Sequence, residues 1–173
     1  DTKSLNFECP MCRAPFVQTG SKKHVERLEK WSQRGRSWGQ FSLGNLYREG
    51  NGVKKDPKRA AELYKLAADQ GHHHAQSNLA SMYATGRGVI QSDQLSFKYC
   101  KLSADQGFSE AQTNVGISYR DGTGVEQSDT KAREWWTKAA KQGQEEAIVS
   151  LKRLDKMEGR TSSSNFTDNS TVL

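Results

Sequence analysis

Apolar and small residues recur along this chain at helical spacing, in paired blocks separated by glycine. Gly39, Leu43 and Tyr47 fall four apart and so share one face of a helix, which predicts a first helix over residues 39–48. A second helix is predicted over residues 57–70, where Ala60, Leu63, Tyr64, Ala67 and Ala68 make an inward stripe at spacings of 3, 4, 7 and 8. Asp56 offers an oxygen to the free N–H groups of that helix's first turn, and Pro57 fits a position where no N–H is needed. Gly50 and Gly71 are placed to close the two helices.

This two-helix pattern then repeats. Residues 36–71, 72–107 and 108–143 align at a constant spacing of 36 with no gap. Eight columns are identical in all three copies: Gln40/Gln76/Gln112, Tyr47/Tyr83/Tyr119, Gly50/Gly86/Gly122, Gly52/Gly88/Gly124, Val53/Val89/Val125, Ala68/Ala104/Ala140, Gln70/Gln106/Gln142 and Gly71/Gly107/Gly143. Gly44, Ala80 and Gly116 form a column of small residues that lets a second helix come close. A fixed period of this length predicts a stack of helix pairs, each burying its stripe against the next, and such stacks build extended binding surfaces. Flanking residues continue the register. A lone second-type helix is expected within 21–35, and a partial fourth repeat, a capping helix, within 144–159, where Ala147 and Leu151 match Ala75 and Leu79. Residues 160–173 are polar and rich in Ser, Thr and Asn, and are expected to be disordered.

Composition adds limits. The chain has 173 residues and a net charge of +6. Eleven Lys and Arg stand against four Asp and Glu between Gly20 and Ala60, so the charge is concentrated there. A basic stretch of this kind is either a solvated helix face or a patch for an acidic partner or nucleic acid; no aromatic interleaving or nucleic-acid motif accompanies it. No run of 18 apolar residues predicts a membrane span, and no apolar leader follows Asp1. Because the chain opens on Asp1 rather than Met, a segment upstream of it is expected. Three cysteines do not make a disulfide framework, which favours a reducing compartment, cytoplasmic or nuclear rather than secreted. No nucleophile–base pair or Gly-rich phosphate loop stands out. The G-x-G pairs recur at every inter-helix turn, His72, His73 and His74 fan apart at a helix start, and Cys100 lies on an inward face.

The strings LGNLYREGNGV…AAELYKLAADQG, LASMYATGRGV…SFKYCKLSADQG and VGISYRDGTGV…AREWWTKAAKQG resemble the Sel1-like repeat family over Trp38 to Gly143. Ala80 in place of glycine and Cys100 in place of an aromatic depart from the family pattern, and predict local loosening of the second repeat. The resemblance implies an all-α fold, a right-handed αα-superhelical solenoid of 36-residue Sel1-like repeats similar to tetratricopeptide arrays. It also implies a role as a scaffold or adaptor for other proteins.

At the front, residues 1–20 contain FECPMCRAPF, which is similar to the last segment of a RING finger. That resemblance implies that Cys9 and Cys12 are two zinc ligands, that Pro10 matches a position touching a ubiquitin-conjugating enzyme, and that Arg13 matches one holding ubiquitin. Two thiolates are half of a closed zinc site, so zinc is expected only in a longer chain carrying the missing ligands. A redox C-x-x-C and two plain thiols remain the other readings. Three functions therefore stay open: a protein-binding scaffold, the substrate-recognition part of a RING-type ubiquitin ligase, and a basic nucleic-acid adaptor. For the scaffold, the outward face of each first helix supplies the candidate binding residues: Gln40, Asn45 and Arg48, then Gln76 and Asn78, then Gln112, Asn114 and Arg120. The invariant Gln column has a second reading, as a bond to the neighbouring repeat's backbone.

Overall fold

The computed structural model describes residues 20–159. Among them are eight helices and no strand: α1 (Lys22–Gln33), α2 (Ser37–Glu49), α3 (Pro57–Ala68), α4 (His73–Thr85), α5 (Asp93–Asp105), α6 (Ser109–Asp121), α7 (Asp129–Ala140) and α8 (Glu145–Met157). Capping explains the boundaries. Asp56 Oδ1 accepts from Arg59 N at 3.0 Å, and Ser128 Oγ accepts from Lys131 N at 3.3 Å. Each bond satisfies one of the four N–H groups that a helix start leaves free. Gly50, Gly86 and Gly122 take φ of 80°, 67° and 70°, the left-handed cap that ends α2, α4 and α6. The predicted helices differ from the observed ones only at their ends. α2 starts at Ser37 because Arg36 already adopts the extended cap conformation, and α3 stops at Ala68 because the last residues tighten into a turn.

The chain divides into two compact units, one ending at Ser92 and one starting at Asp93. In the first, Val25, Leu28, Leu43, Leu46 and Leu63 pack together, with Tyr47 and Val53 against them. Burying one such leucine contributes about 2 kcal/mol. Gly44 lies against the ring of fully buried Tyr64, where an added Cβ would sit 2.8 Å from Cε1.

The second unit repeats the arrangement with a larger ring. Gly116 of α6 faces Trp136 of α7, and Trp136 Nε1 donates to Thr113 O at 3.1 Å. Trp135 is flanked by two ammonium groups, Lys101 Nζ at 5.0 Å and Lys138 Nζ at 4.0 Å from the ring centroid. Arg133 of α7 pairs with Asp155 at 2.5 Å and Glu158 at 2.6 Å, tying α7 to the end of α8.

Candidate functional site: the outward faces of the first helices

The invariant columns are used up in holding the helix pairs together. The backbone carbonyls of Tyr47, Tyr83 and Tyr119 accept from Asp56, Ser92 and Ser128 N at 2.9, 3.0 and 2.7 Å, which closes each inter-helix turn. At Gly52, Gly88 and Gly124 an added Cβ would overlap the backbone carbonyls of Gly20, Pro57 and Asp93. Those carbonyls lie 31 or 32 residues earlier, so the turn of one repeat rests on the start of the preceding second-type helix.

The glutamine column is interior, which corrects its placement on the binding face. Gln40, Gln76 and Gln112 are only 4%, 3% and 6% exposed. Gln76 Nε2 donates to Ala68 O at 3.1 Å and Gln112 Nε2 to Ala104 O at 3.2 Å, eight residues back in each case. Gln40 Oε1 accepts from Gln70 Nε2 at 2.7 Å, and Gln112 Oε1 from Gln142 Nε2 at 2.8 Å, thirty residues on. A helix end leaves its last carbonyls unpaired, and a buried amide that reaches them satisfies both partners at once. The two invariant Gln columns and the Ala68/Ala104/Ala140 column are thus one hydrogen-bonded device, the backbone role that formed the alternative reading of the sequence.

The other expected binding residues are nearer solvent. Asn45 and Asn78 are half-buried: Asn45 Oδ1 accepts from Tyr64 OH at 2.6 Å and from Asn78 Nδ2 at 3.4 Å, a long bond. Arg48 is half-exposed and pairs with Glu49 at 2.7 Å. Asn114 is exposed, while Arg120 is half-exposed with its Nε 4.0 Å from Asp129 and its Nη2 3.6 Å from Met157 Sδ.

Sequence reading missed two features of these faces. In the first unit Phe41 stacks on His72, with centroids 4.6 Å apart, and lies 5.9 Å from His74; Trp38 is 43% exposed beside Trp31. In the second unit, open hollows of about 320 and 200 Å³ lie along α6 and α8 and share Glu146. Glu146, Ser150 and Arg153 of α8 were legible in principle, since they occupy the columns of Glu110, Asn114 and Ile117 one period earlier.

The Sel1 repeat model matches three consecutive segments, residues 39–72, 73–108 and 109–144. This chain belongs to the Sel1 repeat family. Its fold is an α-solenoid of such repeats. A Sel1 repeat protein of Oxalobacter formigenes is 35% identical, covering 76% of this chain and 98% of its own, with a TM-score of 0.71. The protective antigen c5321 of uropathogenic Escherichia coli strains, which displays an SLR fold, is 33% identical with a TM-score of 0.77; 79% of this chain matches 29% of that one. Cysteine rich protein B of Helicobacter pylori shares the fold at 18% identity, 75% of this chain against 93% of its own, with a TM-score of 0.59. No curated protein matches the chain.

Within these Sel1 repeats two titratable groups, His72 and Cys100, have structural roles. His72 caps α4, its Nδ1 accepting from Ala75 N at 3.3 Å. Burial, then the neighbouring His73 and His74, lowers its pKa. Cys100 is buried, its Sγ 3.4 Å from Ala111 O, and burial pushes the thiol up to about 12, so it is a poor nucleophile. Among the described residues no three His, Cys, Asp or Glu side chains could hold a metal, and no helix is long and apolar enough to cross a membrane. Cys9, Pro10, Cys12 and Arg13, with the zinc they imply, lie outside the described residues, as does the polar segment 160–173.

Proposed function

We propose that this Sel1 repeat chain is a protein-binding scaffold. One observation carries the reading: the invariant columns lie in the interior and the turns, while the outward positions of the first helices change from repeat to repeat. The column of Trp38 reads His74, Glu110 and Glu146 in later copies, and that of Arg48 reads Ala84, Arg120 and Lys156. A constant frame carrying varied side chains suits recognition of a folded or extended protein partner, and a few half-exposed Arg and Asn side chains supply the hydrogen bonds.

The test is capture of partners by the immobilised chain and by variants. Arg48→Ala with Arg120→Ala, and separately Trp38→Ala, are expected to lower capture of a given protein at least tenfold while the helical melt holds. Capture unaffected by all of these, but abolished by charge reversal at Lys54, Lys55 and Lys58, would move the site to the basic edge; its loss after nuclease treatment would favour nucleic acid. The narrower role, choosing substrates for a RING-type ubiquitin ligase, rests on the sequence around Cys9 and Cys12 alone. Ubiquitin-conjugating enzyme binding that is lost in Pro10→Ala and Arg13→Ala is its test.

A further inference from the structure

We infer that one edge of the first unit, where α2 turns into α3 and α4 leaves its last turn, docks on an anionic lipid surface. Lys22, Lys23, Lys54, Lys55, Lys58 and Arg87 meet the headgroups, and Ile90 enters among them. Contacts between turns bring these residues to one edge. A Cβ on Gly52 would overlap the carbonyl of Gly20, which lies just ahead of α1, and a Cβ on Gly88 would overlap that of Pro57 at the start of α3. The start of α1 therefore rests beside the turn of Lys54 and Lys55, and the start of α3, with Lys58, beside the turn of Arg87 and Ile90. All seven side chains are exposed.

Their charge runs against what the helices need. A helix start carries a partial positive charge and favours carboxylates. α5 and α7 place Asp93 and Asp129 in their first turns, whereas the first turns of α1 and α3 hold no acidic residue. Lys22 and Lys23 stand there in α1, Lys58 and Arg59 in α3. Arg59 is paired with Glu62, and Arg48 with Glu49. The six docking cations take part in no ion pair among the described residues. The carboxylates left nearby in the sequence are Glu26, Asp56 and Asp93; Asp56 caps α3 and Asp93 opens α5. Six cations against three carboxylates leave an excess of three. Nor does the repeat ask for lysine at this edge. The columns of Lys54, Lys55 and Lys58 read Ile90, Gln91 and Gln94 one period on, and Glu126, Gln127 and Thr130 two periods on. Unpaired cations set at positive helix ends suit an anion.

Ile90 selects the kind of anion. It is 92% exposed, more than any other large apolar side chain described. Its column holds Lys54 and Glu126 elsewhere, so packing does not call for an apolar residue there. A nucleic acid backbone gains nothing from an isoleucine beside the lysines, and no exposed aromatic stands among them to stack on bases. An anionic leaflet offers both chemistries at one surface: charged headgroups and, a little deeper, an apolar boundary. About four to eight basic side chains hold a protein segment to such lipid, each contributing about fivefold in binding. Contact of this kind needs no helix that crosses the membrane. Trp38 lies at the far end of α2, about 18 Å from Gly50 along the axis, so the lipid edge and the face of Trp38 and Phe41 can be occupied together.

The experiment is sedimentation of the full chain with two kinds of vesicle, phosphatidylcholine alone and phosphatidylcholine with about one third phosphatidylserine, at low and moderate salt. The anionic vesicles are expected to bind at least about tenfold more tightly than the neutral ones, and less tightly as salt rises. K54Q/K55Q/K58Q should lose about a hundredfold. Ile90→Ser should lose at least about fivefold with the salt dependence unchanged. K22E/K58E should abolish binding yet melt no lower than the parent, because a carboxylate suits a helix start. A lower Tm in that variant would show that the lysines serve the fold and would count against the inference. No binding to the anionic vesicles, equal binding to the neutral ones, or binding untouched by the lysine variants would overturn it. So would tighter binding of duplex DNA or of an oligo-glutamate peptide, indifferent to Ile90→Ser, which would give the edge to another anion. Trp38→Ala should leave vesicle binding unchanged, so this edge and the scaffold reading stand or fall separately.

Discussion

Gly116→Ala is the sharpest single test of the packing. A Cβ at this position would lie 2.5 Å from Trp136 Cδ1 and 2.9 Å from Cε2, and closer still to Nε1. Real contacts of this kind sit near 3.5–4 Å, so the indole must shift by about 1 Å. Trp136 is 2% exposed and has little free space to enter. Overpacking of this kind costs about 1–3 kcal/mol. Moving the ring also strains its bond to Thr113 O at 3.1 Å, and an unsatisfied buried indole N–H costs about 1–3 kcal/mol more. Replacing glycine inside a helix returns about 1 kcal/mol. The net loss is about 1–5 kcal/mol, which lowers Tm by about 2–20 °C in a chain of this size. Repeat two suggests the rescue, since it carries Ala80 in the glycine column and Cys100 in the aromatic one. Trp136→Cys alone leaves a cavity and should cost about 3–5 kcal/mol. In the double variant the new methyl has room, so the loss should fall short of the sum by about 1–2 kcal/mol. Circular dichroism melts and urea titrations of all four proteins measure this coupling. A Tm unchanged by Gly116→Ala, or additivity within about 0.5 kcal/mol, would refute the packing argument.

Three further outcomes are expected. Gln112→Ala removes one bond to Ala104 O and one from Gln142, and should destabilise by about 1–3 kcal/mol, whereas Asn114→Ala on the exposed face should stay within about 0.5 kcal/mol in the same urea titration. Because the folded pKa of His72 is lowered, its neutral, capping form is favoured; stability is full above the ordinary histidine value and falls as pH drops through it, by no more than about 1 kcal/mol, the scale of a cap. His72→Asn keeps the cap without titrating, so Tm measured between pH 5 and 8 should lose that part of its slope; an unchanged slope would show that His72 is not its source. Zinc added to this chain is expected to bind weakly, since Cys9 and Cys12 supply two of four ligands; tight stoichiometric zinc lost in Cys9→Ser would contradict that.

Much of the frame was legible because its causes are local. A cap oxygen, a glycine after a helix and a stripe at spacings of three and four act within one turn, and each recurs in register. The glutamine column was harder. Its bonds run eight residues back and thirty forward, and nothing in the residue type distinguishes an amide turned inward from one turned to a partner. The hollow beside α8 is not legible from the two positions that carry the repeat register there, Ala147 and Leu151; it depends on Glu146, Ser150 and Arg153. Replacement of Gly and Tyr or Trp by Ala80 and Cys100 was read as loosening. The Gly44–Tyr64 and Gly116–Trp136 contacts show that glycine is needed where the facing column holds a ring.

The second turn glycine has a consequence for how such a chain varies. At Gly88 and Gly124 no side chain fits, because the backbone of the preceding helix start occupies the place where it would begin. Every constraint of this kind reaches back by nearly one period and no further. A whole 36-residue module can therefore be duplicated or dropped and still find the same surroundings, whereas the gain of one residue in a turn puts a Cβ where a carbonyl already sits. Length changes in relatives should come in steps of one module, each step adding a strip of surface free to diversify.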